Sequence, residues 1–159
     1  MPVRNISGNV CFQICNQSTS VSHHYLKKEE GSEFPPEAGR YHLFVAYACP
    51  WAHRTLLTRA LKGLEDAISV TVVHPIWQKT RPELDDHRGW VFSDPNGEPF
   101  RNTEGRGGPF PPSFEGAEPD PFYKSKTIRE YYERAGDTEG KYTVPILWDK
   151  KLHTIVSNE

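Results

Sequence analysis

The sequence predicts an α/β domain in which strands and helices follow one another in the order βαβ, then α, then ββ. Three observations lead to this order: a strand–helix–strand pattern at residues 41–73, an isolated amphipathic pattern at residues 125–136, and two apolar runs joined by a polar turn at residues 146–156. Parallel strands need a crossover connection, whereas a short turn joins antiparallel strands. We therefore expect a mixed sheet that is covered by helices.

The first unit begins with the aromatic and aliphatic run at residues 41–48, which is typical of a buried strand. Leucine and alanine side chains then recur at helical spacing over residues 50–62, and Gly63 lies where a left-handed C-terminal cap belongs. Residues 68–73 are rich in β-branched side chains and predict a second strand. Together these segments predict a βαβ unit with a right-handed crossover.

Two irregular segments lie outside this pattern. Residues 1–38 are polar and lack periodicity, so we interpret them as an N-terminal extension of a domain that covers residues 39–159. Residues 75–122 break the succession of strands and helices. Seven of the fourteen prolines lie between residues 93 and 122, together with six acidic side chains against two arginines. This composition predicts a proline- and glycine-rich insertion at 93–122.

Regular structure resumes with a helix whose predicted N-cap is Ser125 and which ends at Gly136. Residues 146–148 and 153–156 then predict two antiparallel strands joined by a polar turn. The complete order is that of a thioredoxin-like domain. Its closing helix would begin near residues 158–159, where the sequence stops, so we expect that helix to be missing. The apolar stripe of the second helix consists of Ile128, Tyr131, Tyr132 and Ala135.

Composition excludes several classes of function. Nineteen Lys and Arg residues nearly balance twenty-one Asp and Glu residues, so neither nucleic acid nor an anionic membrane surface is an expected partner. No apolar stretch approaches the ~18 residues of a transmembrane helix, and no metal-ligand spacing or glycine-rich nucleotide motif is present. The odd count of three cysteines favours a reducing compartment. We expect a cytoplasmic protein, with mitochondria as the alternative because the first acidic residue is Glu29.

Cys49 is the candidate catalytic residue because it lies where a strand pattern gives way to a helix pattern. Unpaired backbone N–H groups and the positive end of the helix dipole favour the thiolate at that position. Pro50 suits the first helical position because it needs no N–H partner. Ala52 replaces the second cysteine of a Cys-x-x-Cys motif, so the predicted chemistry uses one protein thiol and one thiol from solution. The alternative is a buried structural cysteine.

Two segments near the C-terminal end offer binding groups. A cis bond at Val144–Pro145 would turn the backbone N–H and C=O of Val144 toward Cys49, where they can pair with an extended peptide. The alternative is a trans proline that begins an edge strand. Residues 157–159 open a helix N-terminus that accepts carboxylates, and Glu159 can take a ligand ammonium. These groups suit the γ-glutamyl end of glutathione; a simple helix cap is the alternative.

The remaining candidates surround Cys49 in the sequence or in the predicted sheet. Arg54 either supports the thiolate or forms a surface ion pair, which is the commoner fate of such a residue. Trp51 and Trp90 are tryptophans of the kind that usually lie in a core or an interface. Trp90, however, belongs to the segment Gly89–Phe92 that follows the second strand and can form the wall of a pocket near the cysteine.

Six motifs occur in order along the sequence: GRYHL (39–43), ACPWAHRTL (48–56), LKGLE (61–65), GWVF (89–92), TVPILWDKK (143–151) and TIVSNE (154–159). In this combination the chain resembles the glutathionyl-hydroquinone reductases. These are the Xi class of cysteine-type glutathione transferases, related to the omega class. The resemblance covers residues 39–92 and 123–159.

The resemblance implies a glutathione-dependent thiol transferase with a thioredoxin-like N-terminal domain and an all-helical C-terminal domain, which this sequence would lack. Its full-length form would be a homodimer. By the resemblance Cys49 is the nucleophile, flanked by the supporting residues Pro50, Trp51 and Arg54. The residues that the resemblance assigns to glutathione are Trp90 (packing), Lys141 (glycyl carboxylate), Val144 and Pro145 (backbone pairing) and Glu159 (γ-glutamyl group).

The function that we predict is reduction of glutathionyl-hydroquinones through a mixed disulfide between Cys49 and glutathione. Glutathione is then a co-substrate, and quinone-derived conjugates are the other partners. An omega-like dehydroascorbate reductase or deglutathionylase is one alternative, because it would use the same residues. A glutathione-binding module without turnover is the other.

Overall fold

The computed structural model of the protein describes residues 24–158. The described elements are β1 (Tyr41–Val45), α1 (Pro50–Leu61), β2 (Ser69–Val72), β3 (His74–Lys79), β4 (Arg88–Val91), α2 (Arg129–Arg134), β5 (Ile146–Asp149) and β6 (Thr154–Ser157). The main sheet has the strand order β2-β1-β5-β6, and β3 and β4 form a separate two-stranded sheet. The βαβ, α, ββ order of the main sheet confirms the thioredoxin-like fold class.

The first unit of the main sheet is the predicted parallel crossover. β1 and β2 run parallel, with His42 opposite Ser69, and α1 connects them. Lys62 caps the helix, and Gly63 follows with a φ of +63°. A glycine reaches that left-handed conformation without a Cβ clash. The predicted helix and its C-terminal end are therefore confirmed.

The main sheet carries an apolar core on each face. Leu43 and Val45 pack with Ala52 of α1, whereas the Phe44 ring lies 4.4 Å from that of Tyr131 on α2, between centroids. Successive side chains of a strand point to opposite faces, so β1 contributes to both cores. The stripe predicted for α2 is confirmed: Ile128, Tyr131 and Tyr132 are at most 1% exposed, and Ala135 packs at the edge of the same cluster.

α2 begins later than the sequence indicated. Ser125 is not its N-cap, because the helix starts at Arg129. Thr127 instead forms an isolated bridge with Val91 at the end of β4, and this pairing holds the segment before the helix extended. The carboxylate of Glu130 accepts the two backbone N–H groups of residues 126 and 127. The cap that the sequence predicted is thus replaced by a glutamate within the first turn.

The expectation that residues 75–122 lack regular structure is wrong for their first part, since β3 and β4 form an antiparallel pair. Pro75 obscures β3 in the sequence, because proline is depleted in strands and tolerated mainly where no partner strand needs its N–H. Residues 80–87 connect the two strands and carry no two-residue hairpin signature. Arg129 of α2 fixes this connection through an ion pair of 2.7 Å with Asp85.

Residues 93–122 contain neither a helix nor a strand of the described fold, and their one isolated bridge joins Phe100 to Phe110. The segment is attached to the main sheet where the backbone N–H of Glu118 donates to the carbonyl of Val72 at 3.0 Å. A cis Gly108–Pro109 bond, which the sequence analysis did not anticipate, lies within it.

The described part of the N-terminal extension lies against the far edge of the main sheet. The backbone N–H of His24 donates to the carbonyl of Val156 on β6 at 2.9 Å. The Phe34 side chain is buried and packs in one cluster with Val156, and the Arg40 guanidinium donates to the carbonyl of Glu33 at 2.8 Å. Residues 1–23 of the predicted extension lie outside the described residues.

Arg40 also forms a buried ion pair that joins the start of β1 to the end of β5. Its Nε and Nη2 atoms donate to Oδ2 of Asp149 at 2.8 and 2.5 Å, and the Asp149 side chain is fully buried. Burial alone would raise the pKa of this carboxyl. Hydrogen bonds from Arg40 and from the backbone N–H groups of Leu152 and Lys151 outweigh it, so the pKa of Asp149 is lowered.

Candidate active site at the start of the first helix

The chain turns sharply between β1 and α1, and the turn places Cys49 at the end of the main sheet. β1 ends at Val45 rather than at Ala48, because the backbone N–H of Cys49 donates back to the carbonyl of Ala46 at 3.0 Å. Cys49 is the N-cap residue of α1, with an extended backbone (φ −100°, ψ 117°), and its side chain makes no capping hydrogen bond. The sulfur of Cys49 is therefore not engaged in capping the helix.

The first turn of α1 supplies the electrostatics of this position. Pro50 occupies the first turn, and the first intrahelical bond runs from the N–H of His53 to the carbonyl of Cys49 at 3.1 Å. By helix geometry the N–H groups of Trp51 and Ala52 precede that bond and have no intrahelical acceptor. They form the positive end of the helix dipole next to the sulfur.

Val144 lies directly opposite Cys49. The half-buried thiol donates to the carbonyl oxygen of Val144, with a distance of 3.4 Å between Sγ and O. Val144 and Pro145 are both buried, and the bond between them is cis, as predicted. Two segments separated by more than ninety residues of sequence thus meet at the sulfur.

Trp90 is brought to the same region by the β3–β4 hairpin. The half-buried indole packs on the core cluster that Cys49 also contacts. Its ring meets that of Trp77 edge to face, with centroids 5.4 Å apart and an interplanar angle of 83°. Its carbonyl accepts the backbone N–H of Ile128 at 3.0 Å. The missed hairpin is therefore what positions this predicted site residue.

The other predicted site residues lie further from the sulfur or outside the described chain. Trp51 is 54% exposed and Arg54 is also exposed, on the outer side of α1. Lys141 is exposed on the segment that leads to Val144. Glu159 lies outside the described residues. Their roles toward glutathione stay predictions.

A polar network behind Val144 was missed by the sequence analysis. Tyr132 was predicted only as a core residue, but its hydroxyl donates to the carbonyl of Thr143 at 3.0 Å and accepts from the Nδ2 of Asn158 at 3.0 Å. Burial raises the pKa of Tyr132, while the hydrogen bonds from this network act in the opposite direction. A buried tyrosine generally needs a hydroxyl partner, which was the signal in the sequence; the partners themselves are distant in the chain.

Two kinds of feature are missing from the described part of the chain. Between residues 24 and 158, no three His, Cys, Asp or Glu side chains come together in a way that could hold a metal ion. Within the same range, none of the helices has the length and apolar character needed to cross a membrane.

A comparison with known families identifies the fold that carries this site. Residues 48–158 match the family described as glutathione S-transferase, N-terminal domain. The chain belongs to this family. The match starts one residue before Cys49 and contains Trp90, Lys141, Val144 and Pro145, so these positions lie within the shared domain.

Individual relatives agree with the resemblance to the Xi class. Over 127 residues the chain is 44% identical to the glutathionyl-hydroquinone reductase YqjG of Escherichia coli (strain K12), covering 79% of this chain and 31% of the relative. It is 43% identical over 131 residues to the glutathione S-transferase omega-like 2 of Schizosaccharomyces pombe, covering 82% and 33%. The chain thus spans about a third of the length of these relatives.

A solved structure gives the same result for the fold. The crystal structure of the Xi glutathione transferase ECM4 from Saccharomyces cerevisiae in complex with glutathione matches with a TM-score of 0.70 and 34% identity, covering 89% of this chain and 42% of that one. The sequence-based recognition of the family is therefore confirmed.

Proposed function

We propose that the protein is a glutathione-dependent thiol transferase that reduces glutathionyl-hydroquinones, with Cys49 as its nucleophile. The observation that carries the proposal is the placement of the Cys49 sulfur at the N-terminus of α1 and 3.4 Å from the Val144 carbonyl. The positive helix end lies where negative charge develops on the attacking sulfur, and the carbonyl offers an acceptor for a backbone N–H of glutathione. Relatives named as glutathionyl-hydroquinone reductases support this choice of substrate class.

The Val144 backbone has a second role in this proposal. While Cys49 is protonated, its thiol occupies the Val144 carbonyl. The carbonyl oxygen has a second lone pair, and this lone pair can accept an N–H group of glutathione in a strand-like pairing. The pairing therefore needs only the Val144 backbone and is kept when a serine replaces Cys49. The glutathione complex of a related structure supports glutathione as co-substrate.

Other predicted residues would complete the glutathione site. Trp90 offers a half-buried aromatic face, and Lys141 offers a positive charge on the exposed segment before Val144. A lysine satisfies a carboxylate as a point charge, without the bidentate geometry of an arginine. Glu159 is assigned to the γ-glutamyl ammonium by the sequence alone.

The chemistry consists of two exchanges at sulfur. The Cys49 thiolate attacks the glutathionyl sulfur of the conjugate, so that an S–S bond forms while the bond between that sulfur and the ring carbon breaks. The ring carbon keeps the electron pair, takes a proton from solvent and leaves as hydroquinone. The thiolate of a second glutathione then attacks the mixed disulfide, releasing glutathione disulfide and restoring the Cys49 thiolate. Ala52 stands at the position three residues after Cys49, where the resolving thiol of a Cys-x-x-Cys motif would lie, so the proposed mechanism takes its second thiol from solution.

A second candidate is an omega-like activity, reduction of dehydroascorbate or removal of glutathione from small thiols. The relatives that are named omega-like glutathione transferases favour it. The Cys49–glutathione mixed disulfide is common to both candidates, so the acceptor decides between them. Assays with a glutathionyl-hydroquinone and with dehydroascorbate, at equal concentrations, compare the two directly.

The test of the main proposal is release of hydroquinone from a synthetic glutathionyl-hydroquinone, followed by chromatography in the presence of glutathione. We expect Cys49→Ser to abolish release and to retain glutathione binding, because the Val144 backbone is unchanged. The matched control is Cys11→Ser with Cys15→Ser, which should keep full activity. Turnover by Cys49→Ser near that of the parent would contradict the assignment, and binding without any turnover by the parent would identify a glutathione-binding module.

We also propose that the whole protein acts in the cytoplasm and as a homodimer. Three cysteines without a paired framework support a reducing compartment, and the resemblance to the Xi class supports the dimer. Sedimentation of the native protein and fractionation of the source cells test these two statements.

A further inference from the structure

Tyr132 stands between the two segments of the chain to which glutathione contacts are assigned. One segment is residues 143–145, which contains the Val144 backbone, and the other is residues 157–158 at the end of β6, which precede the assigned Glu159 in the sequence. Tyr132 on α2 touches both, through Thr143 and through Asn158. Its side chain is 1% exposed and that of Asn158 is 2% exposed, so these contacts are shielded from water.

The hydrogen-bonding capacity of the Tyr132 hydroxyl is fully used by these two segments. A phenolic hydroxyl has one proton to donate and two lone pairs that accept. The proton goes to the carbonyl of Thr143 at 3.0 Å, and one lone pair accepts the Nδ2 of Asn158 at 3.0 Å. The remaining lone pair faces the backbone N–H and the Oγ1 of Thr143, each at 3.3 Å. Because burial raises the pKa of Tyr132, the hydroxyl retains the proton that it donates.

We infer that Tyr132 is a positioning residue for glutathione, because its hydroxyl fixes the backbone before Val144 against the end of β6. It acts through the segments that it joins. With the oxygen removed, strands β5 and β6 next to these segments would remain, but the hydrogen bonds that set the distance between the two segments would be lost. The inference rests on the proposed function, since it concerns the same glutathione site.

The adjacent residue provides a matched control. Tyr131 lies on the same turn of α2 and is likewise fully buried, but its hydroxyl donates to the carboxylate of Asp120, away from Val144. Tyr131→Phe and Tyr132→Phe therefore delete the same atom from neighbouring buried positions. Both should lower the melting temperature, because each leaves buried polar groups unpaired. Only Tyr132→Phe should alter the glutathione site.

The experiment measures the dissociation constant of glutathione by calorimetry in the Cys49→Ser background, where no disulfide forms. We expect Tyr132→Phe to weaken binding about tenfold, which corresponds to about 1.4 kcal/mol, and Tyr131→Phe to leave it within twofold. With Cys49 intact, Tyr132→Phe should raise the KM for glutathione by a similar factor and leave kcat at saturating glutathione nearly unchanged. A purely structural role would lower the melting temperature without this split between KM and kcat.

The outcomes separate this inference from the proposed function. Unchanged glutathione binding in a folded Tyr132→Phe variant would overturn the inference and leave the proposed function intact. Absence of glutathione binding in the Cys49→Ser parent would overturn both. If Tyr132→Phe does not fold, Asn158→Ala carries the test, because it removes one bond to the hydroxyl; about threefold weaker binding supports the inference and unchanged binding refutes it.

Discussion

A buried histidine in the main sheet should make the protein less stable as the pH falls from 6.5 to 4. His42 of β1 is 3% exposed. Its Nδ1 atom lies 2.7 Å from Oγ of Ser69, and its Nε2 atom has no hydrogen-bond partner within the described part of the chain. Burial lowers the pKa of His42 from its ordinary 6.5 to about 4, and the Lys150 charge contributes in the same direction.

The sign of the effect follows from which state binds the proton. Above pH 6.5 the histidine is neutral in both the folded and the unfolded chain, and His42 causes no pH dependence. Between pH 6.5 and about 4 the unfolded chain takes up the proton and the folded protein does not. The free energy of unfolding therefore decreases as the pH is lowered over this interval. At about 1.4 kcal/mol for each pH unit, the full loss amounts to about 3 kcal/mol.

Urea unfolding at several pH values between 7 and 4 measures this loss. His42→Gln keeps a group that can bond to Ser69 but does not titrate, so the variant should lose less stability than the parent on acidification. His53→Gln replaces an exposed histidine and serves as control, with the slope of the parent. His74 and His87 are also buried enough for their pKa values to be lowered, so the difference between parent and variant is the quantity to compare. Parallel curves for the parent and His42→Gln would refute the reasoning.

Three further predictions concern the active site and the sheet. Iodoacetamide at neutral pH should label Cys49 faster than a model peptide thiol, because Cys49 lies at a helix N-terminus, and glutathione should protect it. Mass spectrometry measures both effects. Labelling no faster than that of the peptide would contradict the assignment. Ala52→Cys should replace the glutathione adduct with an internal disulfide, visible as a loss of two hydrogens in the intact mass, and persistence of the adduct would argue against it. Asp149→Asn should cost about 3–5 kcal/mol in urea unfolding, because it removes the buried counter-ion of Arg40. Glu37→Gln, at the more exposed partner of Arg40, should cost less than 1 kcal/mol, and equal losses would refute the argument.

The parts of the fold that the sequence predicts correctly are those set by local chemistry. Pro50 and Gly63 mark the ends of α1 because the first turn of a helix tolerates proline and the residue after a helix favours glycine. The hairpin of β5 and β6 follows from two apolar runs around a polar turn. Elements that depend on distant partners were missed. β3 is stabilised by pairing with β4 across an eight-residue connection, and Thr127 pairs with Val91 instead of entering α2.

The same difference between local signals and distant partners applies to the residues of the candidate site. Cys49 and Val144 were predicted because each has a local signal, a helix start and an X–Pro bond before a strand, and the structure brings the two together. The network of Tyr132 was not predicted, since its hydroxyl bonds to residues 11 and 26 positions away. Periodicity places a tyrosine on the buried face of a helix, but it does not say which carbonyl or amide the hydroxyl will meet.

The two irregular segments, residues 24–38 and 93–122, lie at the edges of the main sheet, where another copy of the protein could pair with it. An uncovered edge strand presents unpaired N–H and C=O groups to any other extended chain, which makes it a starting point for aggregation. Here the backbone of His24 occupies a carbonyl of β6 at one edge, and that of Glu118 occupies a carbonyl of β2 at the other. Each edge of the main sheet is therefore partly occupied by irregular chain before an intermolecular strand can add to it, and the segments without regular structure protect the sheet.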